Sequence, residues 1–133
     1  MSERASAAAT FEVTKWDEQL ISEIEGGPTI SRAVVTKSFH GDLEGEGVLE
    51  YLILHRGEGS ASFIGLERVT GRLGDRTGSF VLEHAGTFEG GIAQAACEVV
   101  PESATGDLAG LRGEAHFVAE GRQAPITLAY EFE

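Results

Sequence analysis

Gly47-Val48-Leu49-Glu50-Tyr51-Leu52-Ile53-Leu54-His55-Arg56 is followed by the turn Gly57-Glu58-Gly59 and then by Ala61-Ser62-Phe63-Ile64-Gly65-Leu66-Glu67-Arg68-Val69. Two long runs rich in β-branched and aromatic residues, joined by a glycine turn, read as an antiparallel hairpin. The same grammar extends outward. Upstream, Val34 to Phe39 is a β-branched strand, and Phe11 and Val13 alternate with Glu12 and Thr14 before Trp16. Downstream, Ser79 to Phe88, Ile92 to Val100, Glu114 to Ala119 and Ile126 to Phe132 read as strands. They are punctuated by Gly71 to Gly78, Glu89-Gly90-Gly91, Pro101 and Gly121-Arg122. Asp17 to Glu25 fits either one helical turn or a short strand, and no window carries a helical stripe.

Parallel strands need crossovers of about a dozen residues, for which there is no room, so the sheet is antiparallel. Closing an eight-stranded meander on itself removes its exposed edges. The expected class is therefore all-β, an antiparallel eight-stranded β-barrel, with a two-sheet sandwich as the alternative. The chain has 18 Gly, only 3 Pro and no Asn, so glycine must supply most positive-φ turn positions. Gly65 and Gly86 interrupt strands, where bends or bulges are expected to coil the sheet. Gly41-Asp42-Leu43-Glu44-Gly45 and Gly106-Asp107-Leu108-Ala109-Gly110 share a turn phrase whose Leu can plug a barrel mouth.

The length of 133 residues suits one domain with a real core. Residues 1–9 are rich in Ser and Ala and read as a flexible tail, leaving 10–133 as the barrel domain. A net charge of −12 argues against nucleic acid and anionic membranes as partners. The apolar runs are far too short for a helical membrane span. Cys97 stands alone, so no intrachain disulfide forms, and a cytoplasmic location is expected. His40, His55, His84 and His116 include no pair at metal-binding spacing. Neither a dinucleotide fingerprint nor a phosphate loop is present, so no metal and no cofactor is expected.

The residues that stand out are polar groups on apolar strand faces. His84 shares a face with Phe80, Leu82 and Phe88 and is the best acid–base candidate. Glu50 shares parity with Val48, Leu52 and Leu54, and Glu67 with Phe63 and Val69. An inward carboxylate needs a partner or a hydrated cavity. Alternatively these positions face solvent or an interface. Trp16, Tyr51 and Tyr130 have apolar bodies and polar tips suited to a pocket wall, or to plain core. Cys97 reads as a buried, inert thiol.

An ordered set of phrases carries a family resemblance. Lys15-Trp16-Asp17-Glu18, Gly41 to Gly47, Glu50-Tyr51-Leu52, Phe63 to Glu67, Gly78 to His84 and Thr105 to Gly113 together resemble the domain-of-unknown-function family 3224, over about residues 10–133. The resemblance implies an allene oxide cyclase-like, calycin-like barrel. Thr105 to Gly113 is also similar to a turn of allene oxide cyclases and dirigent proteins, with Leu108 where those carry Phe. No catalytic residue is carried over from them. The expected function is binding of a small hydrophobic molecule in the barrel by Glu50, Glu67 and His84, with Trp16, Tyr51 and Tyr130 as walls. A cofactor-independent isomerase or cyclase, or an interaction module with a filled barrel, are the alternatives. A homo-oligomer is also expected.

Overall fold

In this computed structural model, which describes residues 4–133, strands account for most of the chain. They are β1 (Ala5–Ser22), β2 (Thr29–Gly41), β3 (Leu43–Gly57), β4 (Ser60–Leu73), β5 (Arg76–Glu89), β6 (Ile92–Val99), β7 (Thr105–Gly106), β8 (Leu111–Glu120) and β9 (Gln123–Phe132). The sheet runs β4-β3-β2-β1-β9-β8-β6-β5, and pairing of β4 with β5 closes it. All neighbours are antiparallel. The result is a closed eight-stranded up-and-down barrel, with β7 a two-residue addition pairing only with β5. No helix among the described residues is long and apolar enough to cross a membrane.

The β3–β4 hairpin expected from the sequence is present. Gly47 to His55 of β3 pair with Val69 to Ala61 of β4 without a break. Asp17 to Ser22 continue β1 as strand. Ala5 to Ala9, expected as tail, instead begin β1 and pair with Tyr130 to Ile126 of β9. Ala7 there is buried in the barrel wall. The other alanines of this run are not buried: Ala5 and Ala8 are exposed and Ala9 is half-buried. Residues 1–3 of the expected tail lie outside the described residues.

The in-strand glycines also differ from expectation. The registers run unbroken through Gly65 and Gly86, and the irregularities fall at Val13/Lys15, Leu20/Ser22 and His55/Gly57. Gly65 lies opposite Tyr51 and Gly86 opposite Phe63. A Cβ on Gly65 would come within 2.8 Å of Tyr51 Cδ1, and one on Gly86 within 2.6 Å of Phe63 Cζ. These glycines let aromatic rings from the neighbouring strand lie flat across the inner wall.

The two ends of the barrel are unlike. At one end the β2–β3 and β4–β5 turns and β7 bring Leu43, Leu73, Leu108 and Leu111 over Phe39 and Phe80, all buried. Each fully buried side chain of this size contributes about 1.5–3 kcal/mol. Leu43 and Leu108 are the leucines of the repeated turn phrase, and both plug this mouth. A void of only about 10 Å³ lies among Leu43, Phe80, Leu82 and Leu128. The opposite end, ringed by the β3–β4, β5–β6 and β8–β9 turns, stays open.

Candidate functional site

The open end leads into a cavity of about 390 Å³. Its walls are Phe11, Val35, Ile53, Phe63, Phe88 and Phe117, with Ala61, Ala93 and Ala119 leaving the space that larger residues would fill. Strand alternation aims most of these side chains inward. Trp16 and Glu18 reach the mouth for a different reason. The bulge after Val13 shifts β1 by one residue, so Trp16 lies opposite inward-facing Val35, and Glu18 opposite Ala33. Without it, Lys15 and Asp17 would face inward.

A polar rim forms there. Glu18 accepts hydrogen bonds from Trp16 Nε1 (3.0 Å) and from the Ser31 hydroxyl (2.6 Å), and its Oε2 lies 3.1 Å from His55 Nε2. Partial burial pushes the Glu18 carboxyl up, but the hydrogen bonds from Ser31, Trp16 and His55 outweigh it, and the group titrates below the ordinary carboxyl value.

The cavity floor carries charge. Lys37 is 3% exposed, and its Nζ lies 3.7 Å from Oε1 of Glu67, itself fully buried. Glu67 Oε1 is also 2.9 Å from His84 Nε2. Burial drives the Glu67 carboxyl up, yet the Lys37 charge and the His84 hydrogen bond pull harder, so it titrates below the ordinary value. Glu67 is therefore an acceptor, and His84 Nε2 donates to it. The Tyr51 hydroxyl (3.5 Å) and the Cys97 thiol (3.4 Å) approach the other ring nitrogen, Nδ1. Burial raises the Tyr51 hydroxyl and pushes the Cys97 thiol up to about 12, so both keep their protons.

Two atoms of this network lack hydrogen-bond partners: Glu67 Oε2 and Lys37 Nζ. Glu67 Oε2 lies where a Cβ on Gly47 would be, and that Cβ would also sit 3.0 Å from Phe39 Cε2. Gly47 thus makes the room in which the carboxylate fits. Lys37 Nζ lies over the rings of Phe11 (4.3 Å) and Phe117 (5.0 Å). Ring faces attract a cation but provide no lone pair. Lys37 is also one of the residues that line the cavity.

Of the residues expected from sequence, Glu67, His84 and Tyr51 are brought together, with Tyr51 in the cavity wall and Trp16 at its mouth. Glu50 is not part of the site. The inner residues of β3 are Leu49, Tyr51 and Ile53, so Glu50 faces outward and pairs with Arg32 at 3.3 Å. Both parities of this strand are apolar, because the barrel's outside also carries Val48 and Leu52, and so alternation could not assign the phase. Tyr130 stands near the closed end against Phe132, away from the cavity. Cys97 is buried, as expected. Lys37, Glu18, Ser31 and His55 also belong to the site and were not expected there from the sequence. Lys37 had a signal, since it shares parity with Ala33, Val35 and Phe39. Glu18 had none, because its direction depends on a bulge. Among the described residues, no three His, Cys, Asp or Glu side chains converge as a metal-holding cluster.

Fold and site define a closed antiparallel barrel, plugged at one end, with an apolar cavity and a buried charged floor at the other. The family model described as "Protein of unknown function (DUF3224)" matches residues 7–132, and the chain belongs to that family. A crystal structure of a DUF3224 protein of unknown function from Shewanella oneidensis MR-1 superposes with a TM-score of 0.80. It is 30% identical, with 98% of this chain and 99% of that one covered. A search of curated proteins finds no match.

Proposed function

We propose that this barrel binds a small hydrophobic molecule in its open-ended cavity. The observation that carries the reading is the combination of apolar walls around about 390 Å³ with one buried amine lacking a hydrogen-bond partner at the floor. Ligand sites are characteristically concave and apolar with a few placed polar groups. Eight strands enclose room for packed side chains or for one ligand. Here the plugged end takes the first course and the open end supports the second.

The test uses N-phenyl-1-naphthylamine, a neutral dye that brightens in apolar surroundings. Saturable binding is expected for the wild type and is lost in Ala93→Phe, which fills the mouth while the far-ultraviolet spectrum and Tm hold. Absence of saturable binding, or unchanged binding in Ala93→Phe, overturns the reading.

A cofactor-independent isomerase or cyclase of the allene oxide cyclase type is the second reading. The relay Tyr51–His84–Glu67 supports it, because it links a cavity-wall hydroxyl to a buried base through one imidazole. A single buried thiol supports a cytoplasmic setting. Self-association belongs to the proposal too, supported by the exposed apolar band of Val34, Val48, Leu52, Ile64 and Leu66 on the outer wall. A monomer mass by sedimentation equilibrium overturns that part.

A further inference from the structure

We propose that the ligand is an uncharged apolar molecule bearing one carbonyl oxygen, seated head-first so that this oxygen accepts a hydrogen bond from Lys37 Nζ. This rests on the ligand-binding reading and narrows it to a chemical class.

The first observation is the amine itself. Lys37 is 3% exposed and lines the cavity, yet its nitrogen has no hydrogen-bond partner. A buried donor without an acceptor is costly. An oxygen delivered by a ligand removes that cost, and a purely hydrocarbon ligand leaves it in place. Sites of this kind discriminate strongly against analogues lacking the matching polar atom.

The second observation is the charge balance, which selects among oxygen-bearing ligands. Lys37 already has a counter-ion in Glu67 at 3.7 Å. The same Glu67 oxygen also lies 2.9 Å from His84 Nε2, so this carboxylate is held at the floor by two partners. A carboxylate ligand would therefore add an unbalanced negative charge beside Glu67, within apolar walls. It would also pass Glu18 at the mouth and approach a chain of net charge −12. A ketone, ester or lactone oxygen satisfies the amine without changing the buried charge. About 390 Å³ corresponds to about a dozen water-sized groups of ~30 Å³ each, which suits a chain or ring system of medium length.

The third observation is how the lining is divided. Phe11 and Phe117 lie against the amine, Val35, Ile53 and Phe63 extend the apolar wall, and Glu18, His55 and Ser60 stand toward the mouth. A ligand with several hydroxyls would leave most of them unpaired along the apolar part. One oxygen at the buried end matches the amine there.

The experiment measures displacement of N-phenyl-1-naphthylamine by three probes of similar shape at pH 8: 2-nonanone, its alkene isostere 2-methyl-1-nonene, and nonanoate. For the wild type, 2-nonanone is expected to displace the dye at least as well as the more hydrophobic alkene, and about tenfold or more better than nonanoate. Lys37→Met alone leaves the buried Glu67 carboxylate without its lysine counter-ion and risks unfolding, so the companion protein is the double variant Lys37→Met/Glu67→Gln. It should hold the dye as the wild type does while losing about tenfold or more in 2-nonanone affinity. The inference is overturned if nonanoate equals or exceeds the ketone, if the alkene beats the ketone on the wild type, or if a folded double variant keeps full ketone affinity. Failure of the wild type to bind the dye at all sinks the cavity reading itself, a result distinguishable from the other three.

Discussion

The two ends of this barrel are built from the same strands and the same alternation, yet one is solid and the other hollow. At the plugged end, leucines from turns fold over Phe39 and Phe80, and only about 10 Å³ is left empty. At the open end, the inward positions are held by alanines and by aromatic rings lying along the wall, and about 390 Å³ remains. Between them lies the Lys37–Glu67–His84 layer. It teaches that an eight-stranded barrel gains its stability and its cavity from different layers of one interior. Binding and folding are then separable by mutation.

The largest effect should come from the plug. Phe80→Ala is expected to cost about 3–5 kcal/mol in urea unfolding, because closely packed neighbours leave a residual cavity. Phe88→Ala, at the mouth and 39% exposed, should cost less than half as much. Equal losses would break the distinction between the ends.

The charged layer comes next. Lys37→Met should destabilise by about 3–5 kcal/mol, since it strands Glu67 without its counter-ion. The double variant Lys37→Met/Glu67→Gln should recover most of that loss by urea titration. If it recovers none, the amine's role is packing over Phe11 and Phe117 rather than charge pairing.

Gly47→Ala should cost about 1–3 kcal/mol, because the new methyl group runs into the Glu67 carboxylate and the Phe39 ring. In the Glu67→Gln background the steric part remains while the charge part vanishes, and the difference is read by comparing the two melting curves.

Acid should act on the same layer. Glu67 and Glu18 titrate below the ordinary carboxyl value of 4.5 in the folded protein. Below that value the unfolded chain therefore binds more protons than the folded one. Their stabilisation is fully present above pH 4.5 and is lost as pH falls through the folded values. A Glu67→Gln protein should show a shallower fall of stability between pH 5 and 3 than the wild type. An unchanged slope would mean that Glu67 is already protonated in the fold. The smallest effect is expected at the rim, where Glu18→Gln should cost about 1 kcal/mol or less by thermal unfolding, since the site is half open to solvent.

Much of the architecture was legible because it depends on local chemistry. The glycine turns, the β-branched runs and the absence of a helical stripe led to eight antiparallel strands, and the turn-phrase leucines were read as a plug. The site was legible in part. Glu67 and His84 stood out because a polar group interrupts an apolar row, and that interruption survives whatever the partner strands do; Tyr51 stood out for its apolar body and polar tip. Glu50 misled because β3 is apolar on both parities, so nothing in its own composition says which side is inside. Ala5 to Ala9 misled because small residues without a pattern look alike in a tail and in a tightly approached strand.

What the sequence alone determined was the set of strands, their antiparallel sense and the glycine-built connections, since each follows from the preferences of a few neighbouring residues. Only the tertiary structure decided which parity faces in, because that choice belongs to the closed sheet as a whole. It also decided that a bulge after Val13 turns Trp16 and Glu18 to the mouth, and that Gly47, Gly65 and Gly86 make room for side chains of adjacent strands. The meeting of Lys37, Glu67 and His84, from three different strands, is likewise a product of register. Pairing distances between strands far apart in the chain set it, and no local pattern encodes them.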